Sequence, residues 1–187
     1  EGKTEVSKGL AGIFADYTAI SSVNQDTNSL LYRGYPVPQL AERMSFEETA
    51  WLLWHGELPT SAEREGFRER MVSFAHIPSE VLHIMESLPR NSHPMDITRT
   101  AVSALGNLDP LASRNDREAE IIKAEKLLAV LPAIVAATQR LRLRKEPLAP
   151  RDDLDYPRNF LWMTFGATLP EEVVDAFRVS MILYAEH

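Results

Sequence analysis

Residues 45–56 of the chain read SFEETAWLLWHG, and this stretch carries the signals for one complete α-helix with both of its ends. Ser45 and Glu48 have the spacing of a capping box. In that motif the serine oxygen accepts a hydrogen bond from an early helical amide, and the glutamate carboxylate accepts one from the serine's own amide. Gly56 suits the left-handed conformation that ends many helices. Between the two ends, apolar side chains recur at helical spacing: Phe46, Ala50, Leu53 and Trp54. The stretch predicts a fold built from amphipathic helices.

The same start signal occurs at Thr60 with Glu63 and at Thr168 with Glu171. Other helices are predicted from apolar periodicity and from the glycines and prolines that bound them. Their ranges are 79–88, 94–106, 116–144 with Pro132 inside, 157–165 and 169–187. The sequence therefore predicts about seven helices. The longest has an apolar surface that is too wide for one face of a monomer core.

The first 40 residues are the part of the sequence without a helical pattern. Residues 18–23 and 30–33 flank the polar segment 24–28, which has the composition of a hairpin connection. Residues 34–38, GYPVP, predict a break in regular structure before the helices begin. We therefore expect an all-α fold with a short N-terminal β-hairpin. It is divided into an N-terminal arm at residues 1–44 and a helical body at residues 45–187.

Composition excludes several classes of protein. The chain has 187 residues, 44% of them hydrophobic, which is enough for one sizeable core. A net charge of -7 argues against nucleic-acid partners, which clustered Lys and Arg would bind. The absence of cysteine excludes disulfides and thiolate chemistry in this stretch and fits a reducing compartment. The sequence shows no signal-peptide pattern and no run of about 20 apolar residues, so we expect a soluble cytoplasmic protein with no membrane partner.

Four of the histidines have structural explanations. His55 precedes Gly56, where an imidazolium suits the negative end of a helix dipole. His93 precedes Pro94 and is placed to cap helix amides, whereas His76 and His83 flank a surface turn. No pair of histidines has the spacing of a zinc site, so we predict no metal.

The remaining histidine, His187, stands at the end of the last predicted helix. Its spacing from Ser180 places the imidazole on the apolar stripe of that helix. The other members of the stripe are Val173, Phe177, Met181 and Tyr184. A satisfied core histidine is the alternative to a functional one at this position. No glycine or asparagine follows to end the helix, so we expect the chain to be cut from a longer protein.

Six blocks, in this order along the chain, resemble bacterial citrate synthases. They are KGLAG at 8–12, TAIS at 18–21, YRGY at 32–35, LLWHGELPT at 52–60, SHPMDITRTAVSALG at 92–106 and SMILYAEH at 180–187. The last two blocks are most similar to the 2-methylcitrate synthase branch of this family. The resemblance covers nearly the whole chain. It implies the N-terminal part of the family's multi-helical large domain, with the family's small domain absent from this chain.

The resemblance also implies a function. The family condenses an acyl-CoA with oxaloacetate, and in the 2-methylcitrate synthase branch the acyl-CoA is propionyl-CoA. The coenzyme A thioester is a substrate, and no separate cofactor is implied. By resemblance, His187 contacts oxaloacetate. A basic side chain in the helix after Thr60 is also associated with the substrate site, and Arg70 is the candidate. A solvated arginine on the helix face is the alternative for Arg70.

The family's catalytic aspartate, its two catalytic histidines and its coenzyme A loop lie in the second half of the family sequence. We therefore assign no catalytic acid or base to this chain. Family members are dimers that pack through antiparallel helices, so the resemblance implies a homodimer. The helices at 94–105 and 116–144 suit that contact.

Two other functions stay open from the sequence. A citrate synthase that prefers acetyl-CoA differs by about one methylene in its pocket, which is worth only about 1–3 kcal/mol. A non-enzymatic helical interaction module would keep the scaffold without the chemistry.

Overall fold

The computed structural model describes residues 9, 12, 16–24 and 26–186. This part of the chain forms eight helices and one antiparallel sheet of three strands. The strands are β1 (Ser21–Asn24), β2 (Ser29–Tyr32) and β3 (Tyr35–Pro36). The helices are α1 (Val37–Arg43), α2 (Phe46–His55), α3 (Ser61–Phe74), α4 (Ser79–Ser87), α5 (Pro94–Leu108), α6 (Arg117–Arg142), α7 (Tyr156–Phe165) and α8 (Glu171–Leu183). The predicted fold class, helical with a short N-terminal β-hairpin, is confirmed.

The predicted break at residues 34–38 is wrong, because this segment contains β3 and the start of α1. Arg33 and Gly34 both have positive φ, at 49° and 88°, and form the tight turn that pairs Tyr32 with Tyr35. The prolines are compatible with α1. Pro36 precedes its first residue, and Pro38 lies in its first turn, where a missing N–H costs no intrahelical bond.

Two of the three predicted capping boxes are confirmed. At Ser45 and Thr60 each side chain accepts from the amide three residues later, and the glutamate there accepts from the cap amide. The third, at Thr168, is wrong because α8 begins at Glu171, after Pro170, without a side-chain cap. A residue that precedes proline is steered away from helical angles, so Leu169 does not form a first helical turn.

Two predicted helix ends are also corrected. α5 continues past Gly106 to Leu108, and the extended Asp109 that follows it precedes Pro110. α8 ends at Leu183, not at residue 187, and Tyr184 takes φ −101° and ψ 7°. The end signal of α8 is therefore not a local glycine or asparagine.

The longest helix, α6, lies at the centre of the structure. Ala129 packs with Trp51 and Phe67, in contact with α2 and α3. Another face of α6 packs on α4 and α5 through a cluster of buried side chains: Val81, Met85, Ile97, Ala101, Val130, Ile134, Ala137 and Leu141. A third face places Ala133 and Ala136 against Met163 of α7. Other helices of the same chain therefore cover much of the wide apolar surface of α6.

Pro132 lies inside α6 and has no amide hydrogen for the carbonyl of Leu128, four residues earlier. The hydroxyl of Tyr156, on α7, donates to that carbonyl oxygen at 2.8 Å. A side chain from another helix therefore replaces the missing backbone hydrogen bond.

The residues before and after position 44 share one hydrophobic cluster. It contains Tyr32, Val37, Leu40 and Ala41 together with Phe46, Leu52, Leu53 and Ile182. The division into an arm at 1–44 and a body at 45–187 stays a prediction. Among the described helices, none is both long enough and apolar enough to cross a membrane.

Candidate functional site

His187, the first residue predicted for the substrate site, lies outside the described residues. The structure does describe the chain up to Glu186, and so the segment that leads to it. The predicted apolar stripe on this segment is only partly covered: Phe177 stacks on Phe160 and Met181 packs against the core, but the two ends of its described part are exposed. Val173 is 45% exposed and Tyr184 is 74% exposed, whereas Val174 and Ile182 are 4% and 0% exposed. α8 packs on α1, α2 and α7, and its most buried side chains, Val174 and Ile182, each lie next to a stripe position.

A buried tyrosine holds the end of α8. The hydroxyl of Tyr32 donates to the carbonyl oxygen of Leu183 at 2.9 Å and lies 3.4 Å from the carbonyl oxygen of Glu186. Tyr32 is 0% exposed. Burial raises the pKa of the Tyr32 hydroxyl above its usual value, so the group stays protonated and available as a donor.

The next residue, Arg33, holds the end of α2. Its Nε and Nη2 donate to the carbonyl oxygen of Leu53 at 3.0 and 2.7 Å. Adjacent residues in one tight turn therefore bind the C-terminal carbonyls of two helices. Sequence reasoning missed this role. The only signal was the YRGY block, which was used for the resemblance and not for its hydrogen-bonding groups.

Arg70, the second predicted site residue, is on α3 and forms an ion pair with Glu125 of α6. Its Nε and Nη2 lie 2.7 and 2.8 Å from the two carboxylate oxygens. The Arg70 side chain is 42% exposed, whereas that of Glu125 is only 3% exposed. The hydrogen bond to Glu125 raises the pKa of Arg70 further. Arg70 thus has a structural partner that sequence reasoning did not foresee, and its substrate role stays a prediction.

His55 lies close to this ion pair. Its ring stacks on that of Trp51 with centroids 3.8 Å apart. Burial lowers the pKa of His55, and the negative charge of Glu125 opposes that shift. The predicted benefit of an imidazolium at the end of α2 is therefore weakened by desolvation of the ring.

The other histidines take the places expected from the sequence. His93 Nδ1 accepts from the amide of Met95 at 3.2 Å and caps α5. His76 and His83 are exposed. Within the described ranges, no three histidine, aspartate or glutamate side chains are grouped so as to hold a metal.

Two of the cavities in the described part of the chain lie between helix faces. One of about 620 Å³ is bounded by α2, α3, α6 and α7, and includes Glu47 in its lining. The other, of about 450 Å³, lies between the end of α3, α5 and α6. The linings of both lack Arg70 and every residue of α8. In the described part, the structure therefore does not bring Arg70 and the segment before His187 together in either cavity.

Only one of the two carboxyl oxygens of Glu47 has a hydrogen-bond partner among the described residues. Its Oε1 accepts from the amide of Tyr156 at 3.0 Å, but Oε2 is buried without a hydrogen-bond partner among the described residues. Burial raises the pKa of Glu47, and the nearby Asp155 acts in the same direction. Burial at this site therefore makes the charged carboxylate less favourable than it is in water.

Comparison with known proteins gives consistent matches. Residues 9–187 match the family model described as "Citrate synthase, C-terminal domain". The chain is 50% identical over 185 residues to a 2-methylcitrate synthase of Mycobacterium tuberculosis strain H37Rv, covering 99% of this chain and 47% of the relative. It is 47% identical to a citrate synthase of Mycolicibacterium smegmatis, covering 97% of this chain and 48% of that protein.

Solved structures agree with these matches. The citrate synthase of Pyrobaculum aerophilum superposes with a TM-score of 0.89 at 31% identity, covering 96% of this chain and 47% of that one. The citrate synthase of Thermoplasma acidophilum, solved as a ternary complex with carboxymethyl coenzyme A and oxaloacetate, gives a TM-score of 0.88 at 26% identity, covering 98% and 48%. The chain spans about half the length of the relatives it matches.

Proposed function

This chain belongs to the citrate synthase family, and from that membership we propose that it is part of an enzyme condensing an acyl-CoA with oxaloacetate. The proposed reaction converts propionyl-CoA, oxaloacetate and water into 2-methylcitrate and coenzyme A. The observation that carries this choice is the 50% identity to a 2-methylcitrate synthase over 99% of the chain. Acetyl-CoA is the alternative substrate, which the similarity to a citrate synthase at 47% identity supports.

The proposed reaction has three chemical requirements. A carboxylate removes a proton from the carbon next to the thioester, and a neutral donor stabilises the enolate oxygen that develops. The enolate carbon then attacks the ketone of oxaloacetate, which a second donor polarises. Water finally hydrolyses the thioester and releases coenzyme A. We assign none of these catalytic roles to a residue of this chain, and the proposal includes no metal and no cofactor beyond the thioester substrate.

We assign a substrate contact to His187. An imidazole N–H that donates to an oxygen of oxaloacetate fixes the orientation of the keto diacid, and a charged acceptor strengthens that bond. Support comes from the family resemblance of residues 180–187 and from the hydrogen bond that holds the Leu183 carbonyl, four residues before His187.

Arg70 is proposed as a second substrate contact, with a competing structural role. Arginine suits substrate carboxylates because its guanidinium can donate two parallel hydrogen bonds. In this chain, however, Nε and Nη2 already serve Glu125. A ligand would therefore use Nη1 or the remaining N–H of Nη2, on a side chain that is 42% exposed.

A homodimer and a cytoplasmic location complete the proposal. The exposed apolar side chains Leu127 and Val135 of α6, at 36% and 42% exposure, support a contact between copies through α5 and α6.

The test is oxaloacetate-dependent release of the coenzyme A thiol by the complete encoded protein. We expect a higher kcat/KM for propionyl-CoA than for acetyl-CoA, with a ratio of about 5 to 150 because the substrates differ by one methylene. A ratio below one would replace the first choice with citrate synthase. No thiol release with either substrate would favour the non-enzymatic helical module.

A further inference from the structure

The end of α8 has no left-handed glycine or asparagine, although the amide of Ala185 donates to the carbonyl of Ile182. The last carbonyls of a helix have no intrahelical donors and need partners from elsewhere. Many helices end at a glycine or asparagine in the left-handed conformation, whose geometry lets following amides bond these carbonyls. Tyr184, which follows Leu183, has φ −101° and is not left-handed. The hydroxyl of Tyr32 provides a donor instead, from 151 residues earlier in the chain.

The position of this hydroxyl is fixed by the structure around it. Tyr32 is fully buried and pairs with Ser21 on one side and with Tyr35 on the other. The adjacent Arg33 is bound to the carbonyl of Leu53 by two hydrogen bonds. The phenol therefore approaches α8 from a strand that is held on both edges and fastened to α2.

The second acceptor of Tyr32 lies next to the proposed substrate contact. The carbonyl of Glu186 belongs to the peptide group that joins Glu186 to His187, and that group is planar. A hydrogen bond to this carbonyl therefore acts on the last described peptide group before the proposed contact. The bond to Leu183, at 2.9 Å, anchors the hydroxyl, and the longer one to Glu186, at 3.4 Å, reaches the connecting peptide.

We propose that Tyr32 is a positioning residue for oxaloacetate binding, acting through the Leu183 and Glu186 carbonyls on the backbone that carries His187. This inference rests on the proposed function, in which His187 contacts oxaloacetate. Tyr32 does not touch the substrate. Its hydroxyl restricts the backbone before His187 to one orientation, and so reduces the conformational freedom lost when oxaloacetate binds.

The test compares two tyrosine variants of the complete protein. Tyr32→Phe removes the hydroxyl at the end of α8. Tyr156→Phe is the matched control because it also removes a hydroxyl bonded to a backbone carbonyl, that of Leu128 at 2.8 Å, on α6. Oxaloacetate affinity is measured by titration calorimetry, and KM for the acyl-CoA, kcat and the melting temperature are measured for each variant.

For Tyr32→Phe we expect the Kd for oxaloacetate to rise about threefold to tenfold, the range for loss of one net hydrogen bond. The KM for the acyl-CoA stays at its original value. Both variants should lower the melting temperature by similar amounts, but Tyr156→Phe should leave the Kd for oxaloacetate unchanged. This split separates positioning from a general loss of stability.

Including His187→Ala distinguishes the two ways in which the inference fails. If His187→Ala weakens oxaloacetate binding but Tyr32→Phe behaves like Tyr156→Phe, the positioning role of Tyr32 is overturned and the proposed function stands. If His187→Ala leaves the Kd for oxaloacetate unchanged, the substrate contact and the positioning role both fall.

Discussion

At the scale of single residues, the buried carboxylate of Glu125 limits the roles open to its ion-pair partner, Arg70. The Glu125 side chain is 3% exposed and belongs to α6, which packs on three sides. Arg70 donates hydrogen bonds to both of its carboxylate oxygens. A buried carboxylate without a partner is strongly unfavourable, so the pair constrains Arg70 whether or not a substrate also uses it.

Replacing Arg70 with alanine should therefore lower the free energy of unfolding by about 1–3 kcal/mol, the cost of an unsatisfied buried acceptor. Chemical denaturation of the complete protein measures this. Arg68→Ala, on the exposed face of the same helix, is the control and should change stability by less than about 0.5 kcal/mol. Equal stability of the two variants would show that Glu125 does not depend on Arg70.

Glu47 gives a pH-dependent prediction. Its pKa in the folded protein lies above the ordinary value of 4.5, so the fold favours the neutral form. Below that ordinary value both folded and unfolded chains are protonated, and Glu47 costs nothing. As pH rises through 4.5, the unfolded chain loses its proton more readily, and stability falls.

Glu47→Gln should therefore raise the melting temperature at about pH 7, and the gain should shrink towards zero at about pH 4. Thermal melting across this pH range measures the difference between variant and parent. Glu65→Gln, at an exposed position on α3, controls for the loss of one surface charge. A destabilisation of the Glu47 variant that is the same at both pH values would contradict the assignment.

At the scale of secondary-structure elements, the centre of α6 depends on α7 for one hydrogen bond. Pro132 leaves the Leu128 carbonyl without its backbone donor, and Tyr156 supplies one at 2.8 Å. We expect Tyr156→Phe to lower the free energy of unfolding by about 1 kcal/mol. In a Pro132→Ala background, residue 132 regains its N–H, so the same substitution should cost less.

A double-mutant cycle with denaturant unfolding measures that difference. Costs that add without coupling would show that the tyrosine and the proline act independently.

The elements also show what the sequence can predict. The capping boxes at Ser45 and Thr60 lie within four residues, and both form as expected. The one predicted at Thr168 fails because Pro170 constrains its neighbour. The end of α8 depends on Tyr32, which is distant in sequence, so no local pattern could place it.

In the candidate site, too, contacts between residues distant in sequence could not be predicted from local patterns. Family resemblance indicated His187 and Arg70, but periodicity alone did not identify Glu125 as the partner of Arg70, 55 residues away. Glu125 lies on α6, and the wide apolar surface predicted for this helix gave no reason to expect a buried carboxylate there. Tertiary contacts of this kind decide which arginine is held by the protein and which remains for a ligand.

At the scale of the whole molecule, α6 is covered on three sides and still exposes apolar side chains. Val135 is 42% exposed and is the position we use to test the proposed homodimer. Val135→Asp in the complete protein should shift the sedimentation profile from dimer towards monomer, because a charge in an apolar contact between copies is costly. Val23→Asp, on β1, should leave the dimer intact. A stable monomer of the unaltered protein at micromolar concentration would contradict the homodimer.

The binding of oxaloacetate to the complete protein, with and without the His187 imidazole, is the decisive measurement. Titration calorimetry of the His187→Ala variant should show at least about a tenfold rise in the Kd for oxaloacetate, since a hydrogen bond to a charged ligand is lost. His83→Ala, at an exposed position on α4, should bind like the unaltered protein. An unchanged Kd in the folded His187 variant would contradict the assignment of this residue to the substrate site.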